Sequence, residues 1–110
     1  MITERERKGT YAVELRTLRY FLAAAQEGNI TRAADILHIT QPTLSRQIME
    51  LERELGTTLM LRGKNGLTLT DDGLFFRQRA GEIVELADRL EQNFTERKSD
   101  GSGLIAIGAS

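Results

Sequence analysis

Apolar positions recur with a helical period from Leu15 to Leu55, lose it for a short stretch after Gly56, and regain it up to Phe94. From Glu14 to about Glu27, Leu15, Leu18, Leu22 and Ala25 fall at spacings of 3, 4 and 3, one stripe of a helix that Gly28 ends. Thr31 is expected to cap a short helix over about Arg32–Leu37, whose small Ala33 and Ala34 let another helix approach closely. His38, Ile39 and Thr40 then read as a turn, with the His38 ring partly buried and without a catalytic role.

The next helix opens on Thr40 or Gln41 as cap, takes Pro42 in its first turn where no N–H is needed, and runs to Leu55 before Gly56 stops it. Its apolar seam is Leu44, Ile48, Leu51 and Leu55. At about 100° per residue, Pro42, Arg46, Met49 and Arg53 fall on the opposite side, flanked by Thr43 and Glu50 on one edge and Ser45 on the other. Two short apolar runs, Leu59–Leu61 and Leu67–Leu69, surround Gly63-Lys64-Asn65-Gly66, where Asn-Gly supplies the positive φ values of a tight hairpin turn. Thr70 caps a long helix over about 71 to 97, with Asp71 and Asp72 at its positive end. Within it Phe76, Ala80, Ile83, Ala87, Leu90 and Phe94 form a heptad seam. Ser99 to Gly103 has the composition of a linker, and Leu104-Ile105-Ala106-Ile107 reads as the start of a buried strand, so the sequence is expected to be the front end of something longer.

The expected fold is therefore mainly α: a winged helix-turn-helix, with a three-helix head and a small β-hairpin wing, followed by a long linker helix. The expected divisions are a charged leader at 1–13, the head and wing at 14–70, a linker and dimerisation helix at 71–98, and a linker with a first strand at 99–110. Dimerisation rests on the seam: the alternative is that Phe76 to Phe94 pack on the same chain's first helix, but a seam that outlasts the head needs a second chain to cover it.

Composition narrows the chemistry. The chain has 110 residues, no Cys and one His, so neither a disulfide scaffold, a thiolate metal site nor a cofactor is expected. No apolar run approaches the roughly 18 residues of a membrane span, and the mixed-charge start lacks a signal peptide's apolar core, so a cytoplasmic protein is expected. There is no Gly-rich phosphate loop, no nucleophile with a paired base and no carboxylate cluster on a pocket, which argues against an enzyme. Net charge is −1, but residues 1–70 carry 10 basic and 8 acidic side chains, against 5 and 8 in 71–110. That bias alone would not point to nucleic acid.

The layout does. A second helix that presents Gln, Thr, Ser and Arg outward near its N-terminus, with Glu50, Glu52 and Glu54 confined to its other half, suits a major groove. Arg46 is read as a DNA contact, the alternative being a solvated surface arginine; Arg62 and Lys64 are read as wing contacts, the alternative being charges that discourage edge pairing. Arg53 is equally open to a surface ion pair and a phosphate contact.

The ordered series Glu14-Leu15-Arg16-Thr17-Leu18-Arg19-Tyr20-Phe21, Thr31-Arg32-Ala33-Ala34, Gln41-Pro42-Thr43-Leu44-Ser45-Arg46-Gln47-Ile48, Leu51-Glu52-Arg53-Glu54-Leu55-Gly56 and Leu69-Thr70-Asp71-Asp72-Gly73 closely resembles the DNA-binding domain of LysR-type transcriptional regulators, over about 14 to 110. The resemblance implies a homodimer joined through the linker helix, with one recognition helix in each major groove of a partly palindromic double-stranded DNA site. Carried over to this chain, Gln41, Pro42, Thr43, Ser45 and Arg46 match the groove-contacting segment, Arg62 matches the wing arginine, and Thr31 and Arg32 match positions near the backbone. Small-molecule effectors are expected to bind only through a C-terminal domain. Two departures are the Met60-Leu61 pair before the wing arginine, where the family usually has Phe-Glu or similar, and the 13-residue leader. An alternative from another class is a winged-helix interaction adaptor that does not read DNA.

Overall fold

Side-chain caps and left-handed C-terminal residues punctuate residues 13–99, the part of the chain that the computed structural model describes. The elements are α1 (Leu15–Glu27), α2 (Ile30–Leu37), α3 (Gln41–Leu55), β1 (Met60–Gly63), β2 (Gly66–Leu69) and α4 (Asp71–Ser99). This is the expected winged helix-turn-helix with a long C-terminal helix. The strand expected at 104–107 and nearly all of the leader lie outside the described residues.

Local chemistry sets most boundaries. Thr40 caps α3, its Oγ1 accepting the Thr43 N–H at 3.3 Å, and Gly56 ends it in a left-handed conformation with φ of 72°. The cap of α2 differs from expectation: Asn29 accepts the Arg32 N–H at 2.8 Å, the helix starts at Ile30, and Thr31 sits in the first turn. Asn and Thr are both competent caps, and burial of Ile30 in the core selects the earlier one. His38 ends α2 at φ 61°, left-handed without being glycine, while the Ile39 N–H bonds back to the Ala34 carbonyl at 3.0 Å. At this cap position, past the last turn of α2, His38 is exposed, not partly buried.

The core joins Phe21 and Ala24 of α1, Ile30, Ala33 and Ala34 of α2, Leu44, Ile48 and Leu51 of α3, and Leu59 and Met60 at the foot of the wing. Two expected stripes shift. In α1 the buried positions are Thr17, Leu18, Phe21 and Ala24, with Leu15 exposed and Leu22 and Ala25 half-buried, because α1 is packed by α2, α3, β2 and α4 and buries a broad face. In α3 the buried seam ends at Leu51, and Leu55 projects beyond the core.

β1 and β2 pair antiparallel, with Met60 opposite Leu69 and Gly63 opposite Gly66. Lys64 and Asn65 thus form the turn, and Gly66, not Asn65, takes positive φ, at 106°. Its backbone approaches the end of α1 so closely that an added Cβ would overlap the Gly28 carbonyl oxygen, which accepts the Leu67 N–H at 3.0 Å. Met60 is buried and Leu61 is exposed, so the unusual pair splits between core and solvent.

The loop before the wing is held from both sides. Glu52 Oε2 accepts the N–H groups of Leu59 at 2.8 Å and Met60 at 3.1 Å. The Leu59 carbonyl accepts the Thr70 N–H at 3.0 Å, and Thr70 Oγ1 in turn accepts the Gly73 N–H at 3.0 Å, capping α4 as expected. Thr57 donates its hydroxyl to Asp72 in the same first turn. A Cβ on Gly73 would collide with the Leu59 carbonyl, so α4 leaves the head at a point only glycine allows.

Replacing Glu52 with Ala removes the acceptor of two amides and is expected to cost about 1–3 kcal/mol, with faster hydrogen exchange at Leu59 and Met60. Glu52→Gln, which keeps a carbonyl oxygen, is expected to recover most of that loss. Unchanged exchange at both amides in Glu52→Ala would refute the tie.

Candidate nucleic-acid interface

Burial of Leu44, Ile48 and Leu51 turns the opposite face of α3 outward. Gln41, Pro42, Arg46 and Met49 are exposed there, with Thr43 and Ser45 half-buried at its edges. Thr43 is committed locally: its N–H goes to the Thr40 cap, and the two hydroxyls lie 2.8 Å apart. Arg46 and Arg32 form no ion pair among the described residues, so both present uncompensated charge to solvent.

The wing folds back toward this face. Arg62 donates from Nη2 to Ser45 Oγ at 2.7 Å, and Gln41 Nε2 donates to the same oxygen at 3.4 Å. A shallow cleft of about 200 Å³ runs between the start of α2, the start of α3 and the wing, lined by Thr31, Gln41, Arg62 and the Gly63 and Gly66 backbone among others. Tertiary structure therefore brings Thr31, Gln41, Ser45 and Arg62 together from three elements. Arg46 lies one turn along α3, Arg32 is exposed in the first turn of α2, and Lys64 is exposed at the wing tip.

The expected dimerisation seam is divided. Ala80 is 1% exposed, and Phe76 packs edge-on against Phe21 of α1 with ring centroids 4.9 Å apart. Ala87 is half-buried, and Arg19 of α1 reaches Asp88 at 2.8 Å. Hydrogen bonding to Asp88 raises the Arg19 pKa. The early seam thus belongs to the chain's own head, which lies along only one side of α4. Ile83 at 46%, Leu90 at 58% and Phe94 at 54% remain exposed, and so does Leu86 at 61%. Leu86 was missed by the heptad that begins at Phe76; counting from Ile83 instead gives Ile83, Leu86, Leu90 and Phe94 at spacings of 3, 4 and 4, one continuous stripe.

Among the described residues no cluster of three or more His, Cys, Asp or Glu is placed to hold a metal ion, and no helix is long and apolar enough to cross a membrane.

Residues 15–74 match the family model described as bacterial regulatory helix-turn-helix protein, lysR family. The chain is 42% identical over 99 residues to the HTH-type transcriptional regulator BsdA of Bacillus subtilis (strain 168), covering 89% of this chain and 34% of that protein. It is 44% identical over 96 residues to the regulator BenM of Acinetobacter baylyi, covering 87% of this chain and 31% of BenM. Among solved structures, the BenM DNA-binding domain on benA site 1 DNA superposes with a TM-score of 0.72 at 44% identity, over 76% of this chain and 98% of that one. The CbnR DNA-binding domain in complex with DNA gives 0.70 at 40% identity, over 76% and 97%. The chain thus spans about a third of the length of the first two relatives.

Proposed function

The chain belongs to the lysR family of bacterial regulatory helix-turn-helix proteins, and from that premise we propose that it is a sequence-specific DNA-binding transcriptional regulator that grips a partly palindromic operator as a homodimer. The observation that carries this reading is one outward surface on which Thr31 of α2, Gln41 and Ser45 of α3 and Arg62 of the wing meet, with Arg46 exposed one turn along α3 and no carboxylate in the first two turns of that helix. Relatives at 40% and 44% identity have been solved on DNA with the same head, which supports it. No observation favours the adaptor reading, and the matched relatives are named as regulators, not enzymes.

In this reading α3, about 10–12 Å across with its side chains, enters a major groove of about 12 Å. Gln41, Pro42, Thr43, Ser45 and Arg46 face base edges or the flanking phosphates. Thr31 and Arg32 approach the backbone, and Arg62 and Lys64 on the wing reach the backbone or the minor groove. Residues 14–70 are the DNA-binding unit, 71–98 the dimerisation helix, and 99–110 the entry to an effector-binding domain. The exposed Ile83, Leu86, Leu90 and Phe94 pack on a second copy, and the protein works in the cytoplasm.

Selection of bound duplexes from a random DNA pool is expected to return two copies of one half-site related by a dyad, with affinity that falls steeply as salt is added. No enrichment, together with salt-insensitive binding, would defeat the reading. Against a panel of single-base variants of the selected site, Arg46→Ala is expected to lose about 1–3 kcal/mol of discrimination at one base pair per half-site. Arg62→Ala is expected to weaken every variant by a similar factor and to reduce the salt slope by about one contact. If Arg46→Ala also weakens all variants equally, Arg46 is a phosphate anchor.

Two charge insertions on α4 separate the halves of its seam. Ile83→Asp places a carboxylate on the exposed stripe and is expected to leave a folded monomer with weakened operator binding. Ala80→Asp buries the charge against the head and is expected to lower the stability of the head itself by about 3 kcal/mol or more. Sedimentation and thermal melting read the two effects, and a dimeric, fully folded Ile83→Asp protein would move the interface elsewhere.

A further inference from the structure

The Ser45 hydroxyl has an unusual position for a side chain on a DNA-facing helix. Its oxygen receives the Arg62 guanidinium at 2.7 Å and the Gln41 amide at 3.4 Å. A serine oxygen has two acceptor sites, and here both face donors of its own chain. It therefore offers no lone pair to the amino group of a base. The Arg62 bond is at the short end for a charged donor and joins residues 17 apart in sequence, on two different elements.

Backbone ties hold the hairpin at its foot, through Glu52 to Leu59 and Met60, and at its second strand, through Leu67 to Gly28. Neither acts on the Arg62 side chain. An exposed arginine with no partner samples many rotamers, and binding DNA would then have to order it. Arg46 is also exposed and has no ion pair among the described residues.

We propose that Ser45 is a positioning residue for the wing: its hydroxyl holds the Arg62 guanidinium against α3 before DNA arrives, so that wing and recognition helix are presented as one preset basic surface. This rests on the DNA-binding function proposed above. The bond to Ser45 uses one of the five guanidinium N–H groups of an exposed residue, so the tie orders Arg62 without consuming it. Gln41 steadies the hydroxyl from the other side, which explains why a groove-facing glutamine directs its amide nitrogen back at its own helix. Ordering in advance raises affinity by removing a cost of binding and adds no contact.

The test uses the full chain. Side-chain 15N relaxation in the free protein is expected to show an ordered Arg62 guanidinium and a mobile Arg46 guanidinium. Ser45→Ala is expected to make Arg62 as mobile as Arg46, and Ser45→Thr, which keeps the hydroxyl, to restore its order. With the duplex recovered from the random pool as probe, Ser45→Ala and Arg62→Ala are each expected to weaken binding about tenfold, and the double variant to be close to Arg62→Ala alone, well short of the roughly hundredfold loss that independent contacts would give. Multiplicative losses, or an Arg62 as mobile in the wild type as in Ser45→Ala, would overturn the proposal. If the wild type binds no duplex, the DNA-binding reading falls, and the free-protein relaxation by itself still decides the role of Ser45.

Discussion

The placement of the wing and of α4 against α3 depends on how Leu59 is held. Its side chain is buried in the core, its N–H is bonded to Glu52, its carbonyl receives Thr70, and the missing Cβ of Gly73 lets α4 start against that carbonyl. One residue thereby registers three elements: the end of α3, the foot of the wing and the first turn of α4. Such a node is stiff because each of its polar groups, in a partly buried setting, has one partner whose loss would leave it unsatisfied. Shifting the wing relative to α3 would break at least two of these bonds at once.

The outward surface inherits its geometry from that node. The hairpin is too short to be stable by itself, since an isolated two-stranded ribbon is marginal in water. It is held by Met60 in the core, by Glu52 at the start of β1, and by Gly28 at the second strand. Of the two side chains that make the docked hairpin a charged ledge beside α3, Arg62 is itself bonded to Ser45 of that helix at 2.7 Å, and Lys64 is exposed at the tip. The carboxylate of Glu52, on the same helix, is bonded to the backbone amides of Leu59 and Met60.

α4 is held by the head along one side and bare along another. Phe76 and Ala80 are covered by α1, and Arg19 meets Asp88 where that cover runs out. A surface pair of this kind is worth little, about 0–1 kcal/mol, so it marks the limit of packing more than it supports it. Beyond and beside it the stripe of Ile83, Leu86, Leu90 and Phe94 stays open, and Arg97 lies over the Phe94 ring at 5.5 Å. Exposed apolar residues in one row, and not scattered singly, are what a second helix would cover.

Element type and order were legible in the sequence because they rest on local physics: helical periodicity, Pro42 at a helix start, Gly28 and Gly56 at helix ends, Thr40 and Thr70 as caps. The outward row of α3 was legible for the same reason, since facing follows from which positions are apolar. What local rules left open was settled by packing. Asn29 and Thr31 are both good caps, and only the docking of Ile30 chooses between them. The close approach of the Gly66 backbone to Gly28, which leaves no room for a Cβ, is a contact between residues 38 apart that no turn rule contains. Periodicity along α4 carries no information about which neighbour covers each turn, so Ala80 is buried against the head while Ile83 is exposed, in one row with Leu86, which the heptad counted from Phe76 does not contain. The bond from Arg62 to Ser45 is of the same kind: each residue was recognisable by its own face, and only the folded chain brings the two within 2.7 Å, because the wing is placed beside α3 by ties at Glu52 and Gly28 that join segments distant in sequence.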